Sequence, residues 1–313
     1  MLIAFMFPGQ GSQIIGMGKD VAEEFRAAKD VYEEVDSVLG FALSKLIWEG
    51  EKEELTLTIN AQPAIMATSL AVVAALKSEG VDIAGSLCVA GHSLGEYSAL
   101  CAAGSLSIAD TALLLRKRGQ YMQEAVPLGQ GSMAAILGLD LQTVRSIIKN
   151  CSQYGTCEIA NDNEPNQVVI SGERDAIEKA CGDAKSEGAK RALPLPVSAP
   201  FHCSLMTPAQ EKMSTLLTEI PISRPYVPVV SNVTASPTTD PNQIRKNLIL
   251  QITGAVRWRE SVMEMQSLGG QVFAEVGPGK VLTNLVKRTI KGVEQAAIGK
   301  TQEIYGFKDI ENV

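Results

Sequence analysis

The tightest local constraint in the chain is Gly91-His92-Ser93-Leu94-Gly95, a G-x-S-x-G between an apolar run at 87–90 and a helical stretch at 94–103 closed by Gly104. A strand that ends and a helix that begins within so few residues need a sharp turn, and glycine lets the two backbones approach. Ser93 then stands at the apex with its hydroxyl exposed. The new helix points unbonded N–H groups and its positive dipole end at the same spot. The arrangement suits a nucleophile, and the Leu94 N–H suits an oxyanion formed on it.

The flanking pattern agrees with a mainly parallel sheet covered by helices. A buried strand is expected at 2–7, then a Gly-rich turn and helices over 21–39 and 62–79. Ser107, with Asp110 three residues on, starts a helix that runs to about residue 125. After Pro127 the rhythm changes to strand 132–139, helix 141–150, strand 157–160, turn 161–166, strand 167–171, helix 175–187 and strand 192–197. That order, βαββαβ, is the split βαβ or ferredoxin-like unit. The earlier rhythm resumes with a helix at 205–219, a strand at 227–231, a helix at 259–268, a strand at 271–275 and a final helix after Gly279. The fold class is therefore α/β, with a large domain over 1–126 and 199–313 and an inserted small domain over 127–198.

Composition removes several classes of function. A length of 313 residues suits two domains, or one with an insertion. A net charge of −7 argues against nucleic acid and anionic membrane as partners. The N-terminus has no basic n-region and breaks at Pro8-Gly9, so it reads as a buried strand, not a signal peptide. The longest apolar stretch, 64–76, is interrupted by Thr68 and Ser69 and is too short for a bilayer. Six cysteines at 88, 101, 151, 157, 181 and 203 form no C-x-x-C, as expected of reduced thiols in the cytoplasm. Only two histidines are present, which argues against a His/Cys metal cage. Neither nucleotide fingerprint is complete: Ile14 replaces the last Gly after GQG, and Val281 replaces the Ser/Thr after GPGK.

A serine needs a base. His92 adjoins Ser93, but neighbours on a sharp turn diverge, so it reads as a structural imidazole behind the elbow. His202, in Ser198-Ala199-Pro200-Phe201-His202, follows the last strand of the insertion, and serine first with histidine later is the α/β-hydrolase order. No aspartate stands out as the third member. Arg118 lies three and four residues from Leu114, Leu115, Tyr121 and Met122, so it points with the apolar face of its helix. An inward guanidinium needs an anion, either an internal Asp or Glu or a substrate carboxylate held by two bonds.

Taken together, GQGSQ, GHSLGEYSAL, RGQYMQEAVP, NQVVISG, PVSAPFHC, VVSNVTA, QITGAVRW and EVGPGKVL resemble the malonyl-CoA:acyl carrier protein transacylases, in order and over essentially the whole chain. The resemblance implies an α/β-hydrolase-like large domain with a ferredoxin-like small one. It also implies Ser93 as the acylated nucleophile, His202 as general base and Arg118 as the malonyl-carboxylate site. Gln10 and Leu94 would supply oxyanion N–H groups, and the main-chain carbonyl of Gln251 would orient the histidine in place of an aspartate. Phe201 goes with malonyl, where serine goes with methylmalonyl.

The implied partners are malonyl-CoA, coenzyme A and the phosphopantetheine arm of acyl carrier protein, and the implied state is a cytoplasmic monomer without cofactor. A serine hydrolase on the same scaffold and a catalytically silent scaffold remain the alternatives. For an acidic carrier protein the basic candidates are Lys287, Arg288 and Lys291, then Lys190-Arg191.

Overall fold

Strands of two to eight residues carry this molecule, a computed structural model describing residues 1–311. The strands are β1 Ile3–Phe7, β2 Cys88–Gly91, β3 Gly131–Leu137, β4 Cys157–Glu164, β5 Gln167–Glu173, β6 Arg191–Pro194, β7 Val229–Val230, β8 Pro237–Thr238, β9 Val272–Val276 and β10 Glu294–Ile298. The larger sheet runs β10-β9-β1-β2-β7-β8, with every pairing parallel except β7 with β8. All five residues of β1 are buried, as a strand covered by helices on both faces requires. Phe7 pairs with Gly91, so β1 and β2 end level and their following turns leave the sheet side by side. Crevices at the carboxyl ends of such strands are where open α/β sheets bind ligands.

The second sheet runs β4-β5-β3-β6, entirely antiparallel, which is the strand order of the ferredoxin-like unit. Helices Leu141–Cys151 and Arg174–Ser186 cover one face and close a separate core around Ile136, Val144, Val168, Ile170 and Ile177. Met133, Ala135, Ala160 and Val169 belong instead to the main core. The two sheets are also stitched through the backbone. Val256 donates to the Ala160 carbonyl at 2.8 Å and accepts from the Asp162 N–H at 3.0 Å. Arg259 grips Asp162 from the same side at 2.8 Å.

Several elements differ from the sequence expectation. The helix expected over 21–39 is two, Lys19–Glu24 and Arg26–Leu39, parted where Phe25 turns extended and buries its ring. The stretch 161–164 continues β4, leaving only Pro165-Asn166 as the turn. Its polar side chains have partners that no periodicity shows: Asp162 meets Arg259, Asn163 meets His92 and Glu164 meets Arg288. The chain does not finish on Val281–Thr289, because β10 and a helix Thr301–Glu311 follow. A helix Pro241–Gln251 also goes unsignalled, and it ends at a residue central to the site. Helix Thr58–Ser78 begins earlier than expected and reaches the length and apolarity of a membrane span, yet most of it is buried inside the protein.

At the β2 turn the glycines are obligatory. A Cβ on Gly91 would lie 1.9 Å from the Gly95 carbonyl, and one on Gly95 would lie 2.2 Å from the Phe7 oxygen. Gly182, on the exposed face of its helix, has nothing within 4 Å. Gly95→Ala should therefore cost about 1–3 kcal/mol or more, whereas Gly182→Ala should gain about 0.5–1 kcal/mol. Urea midpoints of the two variants check this, and equal shifts would mean the elbow is not close-packed.

Candidate active site

Ser93 holds φ 54°, a left-handed conformation that a residue with a side chain adopts at a cost of about 1–3 kcal/mol. Asn232 fixes it from outside the turn. Its Oδ1 accepts from the Ser93 N–H at 2.8 Å, and its Nδ2 donates to the Gly91 carbonyl at 2.6 Å. The strain turns the Ser93 hydroxyl toward His202, whose Nε2 lies 2.7 Å from Oγ.

His202 also sits at positive φ, 59°, and is 4 % exposed. Its Nδ1 lies 2.9 Å from the Gln251 carbonyl and 3.2 Å from that of Gly254. Carbonyls only accept, so Nδ1 carries the proton and Nε2 accepts from the serine. Burial, and then the nearby Arg118 charge, push His202 down to about 3, against the carbonyl contacts that favour the cation. The imidazole is thus neutral at physiological pH and ready to take a proton.

Arg118 is 1 % exposed. It donates to Gln62 Oε1 at 2.7 Å, to Gln251 Oε1 at 2.9 Å and to Ser93 Oγ at 3.1 Å, and its Cζ lies 5.6 Å from the Tyr97 ring centre. Its Nε is buried without a partner, and among the described residues no carboxylate lies within ion-pair distance. The internal salt bridge left open by the sequence is not formed. Neutral amides surround the cation, and Ser93 is its one contact to a reactive group.

Ser93, His202, Arg118, Gln10, Leu94 and Phe201 line one cavity of about 280 Å³. Leu94 is the N-cap residue of helix Gly95–Ala102. Gln10 leads off the turn after β1, and its Oε1 accepts from Thr58, whose hydroxyl in turn accepts from Gln62. Gln251 lies behind the wall and is fully buried. His92 diverges from Ser93: its Nε2 meets Asn163 at 2.8 Å and its ring packs near Trp258.

Sequence reasoning missed Gln62, Asn232 and Glu96. Glu96 is 2 % exposed, and its Oε2 accepts from Gln251 Nε2 at 2.6 Å and from the Asn232 N–H at 3.2 Å. Burial pushes its carboxyl up, opposed by those two bonds and by the Arg118 charge. The available signal was its place in the first helical turn, three residues after Ser93 and followed by the apolar Tyr97, Ala99 and Leu100.

A serine, a neutral histidine and a buried arginine meeting at one hydroxyl can be weighed against known proteins. The family described as acyl transferase domain matches residues 4–307. The chain belongs to this acyltransferase family. It is 48% identical over 305 residues to the malonyl CoA-acyl carrier protein transacylase of Bacillus subtilis, covering 96% of this chain and 95% of that one. The crystal structure of the acyl-carrier-protein-S-malonyltransferase from Bartonella henselae superposes with a TM-score of 0.98 at 49% identity, covering all of both chains. A type II PKS acyl-carrier protein in complex with its malonyl-transacylase gives 0.96 at 40% identity, again with full coverage.

The low His202 value has a direct readout. The imidazole stays neutral in the folded state as pH falls from about 6.5 toward 3, while the unfolded chain takes up its proton near 6.5. Stability from this group is therefore present above pH 6.5 and is lost as pH drops through that window. Ring ¹⁵N shifts at pH 5 should show His202 as the neutral Nδ1–H tautomer, assigned by its loss in His202→Ala. An imidazolium pattern at pH 5 would refute the burial argument.

Proposed function

We propose that this chain moves a malonyl group from malonyl-CoA to the phosphopantetheine thiol of acyl carrier protein, in two half-reactions joined by a malonyl ester on Ser93. The observation that carries the reading is the 3.1 Å contact from Arg118 to the same hydroxyl that meets His202 at 2.7 Å. A serine with a neutral base suits acyl transfer in general. A fixed cation beside that serine suits an acyl group ending in a carboxylate one methylene from its carbonyl. The names of the similar proteins from Bacillus subtilis and Bartonella henselae agree with this substrate.

Ser93 attacks the thioester carbonyl while its proton passes to His202 Nε2. The Leu94 and Gln10 N–H groups hold the developing oxyanion, and the Nδ1–H bond to the Gln251 carbonyl steadies the imidazolium. Coenzyme A leaves with that proton. The carrier-protein thiol then gives its proton to His202 and attacks the ester, the bond to Ser93 breaks, His202 returns the proton to the serine oxygen, and malonyl carrier protein leaves for fatty-acid synthesis. Phe201 limits the room beside the malonyl methylene, which disfavours a branched acyl group. The exposed Lys287 and Arg288, in the last turn of helix Val281–Thr289, offer an acidic carrier protein a docking face. The proposed setting is the cytoplasm and the proposed state a monomer.

Incubation with malonyl-CoA should add one malonyl group, found by mass spectrometry on the Ser93 peptide and absent in Ser93→Ala. An adduct on Cys88 or Cys203 would overturn the mechanism, and immediate loss of the ester without a thiol acceptor would make the chain a hydrolase.

Discrimination against acetyl-CoA rests on Arg118. Removing one partner of a buried charged pair costs about 2–5 kcal/mol, roughly thirty- to several-thousand-fold. Arg118→Ala should lose most malonyl transfer while acetyl transfer holds or rises. Arg118→Lys should recover only part, since an ammonium cannot match both oxygens. Equal losses on the two substrates would make Arg118 structural.

A further inference from the structure

Glu96 belongs to no step of the mechanism above, yet its carboxyl group is bonded to residues that hold Ser93, His202 and Arg118. Gln251 meets five partners at once, the longest contact being Nε2 to Asn232 Oδ1 at 3.4 Å. Its carbonyl takes the His202 Nδ1–H at 2.9 Å and its Oε1 takes an Arg118 N–H at 2.9 Å. Its Nε2 donates to the Ser93 carbonyl at 2.9 Å and to Glu96 Oε2 at 2.6 Å. Arg118 only donates, so the Gln251 side chain must turn its oxygen that way and its nitrogen toward Glu96 and Ser93. Asn232, whose own N–H bonds Glu96 at 3.2 Å, holds the two backbone groups on either side of the elbow.

We propose that Glu96 is a positioning residue: by accepting from the Gln251 side chain it fixes that amide's orientation, and through it the guanidinium of Arg118 that selects a carboxylate-bearing acyl group. The inference rests on the malonyl-transfer reading and names a further determinant of its selectivity. Glu96 Oε2 takes both the Gln251 and the Asn232 N–H, so it adds an acceptor to the orientation that Arg118 and the Ser93 carbonyl already favour. A glutamine at 96 can present an NH₂ there instead, and two donors then oppose each other. The Gln251 amide has to flip or shift, the guanidinium loses an acceptor, and it moves off its seat. The Gln251 backbone carbonyl, which holds His202, does not depend on that flip. Selectivity should therefore suffer more than the basic chemistry of Ser93.

The test compares wild type, Glu96→Gln and Glu96→Asp for acylation of Ser93 by malonyl-CoA and by acetyl-CoA, with thermal unfolding alongside. Glu96→Gln should lower the malonyl-to-acetyl ratio of kcat/KM about tenfold or more, the size expected for losing one bond to a charged group. Glu96→Asp keeps acceptors only and should recover part of the ratio. A ratio unchanged in Glu96→Gln, or malonyl and acetyl rates falling together with the melting temperature, would overturn the proposal and leave Glu96 a structural residue. If Glu96→Gln does not fold, Glu96→Asp combined with Gln251→Met decides. Gln251→Met keeps the backbone carbonyl and removes the amide, so adding Glu96→Asp should lower the ratio no further, and an additional fall rejects the relay. The wild-type control separates the two layers: no malonyl adduct on Ser93 would refute the proposed function, whereas an adduct with an unmoved ratio refutes only the role of Glu96.

Discussion

Arg118 carries its positive charge on an almost fully buried side chain, and the side chains that grip it, Gln62 and Gln251, are neutral amides. Such a group is costly to bury, and an adjacent carboxylate would lower that cost. It would also occupy the guanidinium face that a substrate anion needs. The fold instead keeps its nearby acid, Glu96, behind Gln251, off the guanidinium face that opens on the cavity. Burial first, and then the same cation, depress the basicity of His202 and keep the imidazole unprotonated.

Positioning that charge against the nucleophile falls to the sheet. The level ends of β1 and β2 bring the turn bearing Gln10 against the turn bearing Ser93, and His92 N–H bonds the Phe7 carbonyl at 3.0 Å across the join. Gly95 fits under the Phe7 oxygen, which no side chain allows. Helices Thr58–Ser78 and Ile108–Glu124 pack on each other and deliver Gln62 and Arg118 from the same side. A run of polar atoms, Arg118 to Gln62 to Thr58 to Gln10, then ties the guanidinium end of the cavity to the turn after β1.

The architecture was legible wherever period and punctuation are local. The elbow announces itself through Gly91 and Gly95, the inserted unit through its βαββαβ rhythm, and the inward set of Arg118 through its spacing from Leu114, Leu115, Tyr121 and Met122. What stayed hidden is what depends on partners far along the chain. Asn161 to Glu164 reads as a turn by composition, and it becomes a strand through pairing with β5 and through its contacts with Val256, Arg259, His92 and Arg288. Phe25 breaks a helix because the core takes its ring, a tertiary preference over local periodicity. Glu96 and Asn232 look like ordinary polar surface residues. Their burial follows from Gln251, more than a hundred positions beyond Glu96 and nineteen beyond Asn232.

The stitch at Val256 has a consequence for how such a protein can be recombined. Gln251 and Gly254 supply the carbonyls that hold His202, and two residues later the same loop is paired with Ala160 and Asp162 of the inserted sheet. The small lobe is therefore not a detachable cassette bounded by its two chain crossings. Its β4 edge and the loop 251–256 form a single joint, and a lobe transplanted from another sequence has to bring a compatible Val256 environment with it. Modularity here follows the hydrogen-bonded seam, not the chain order.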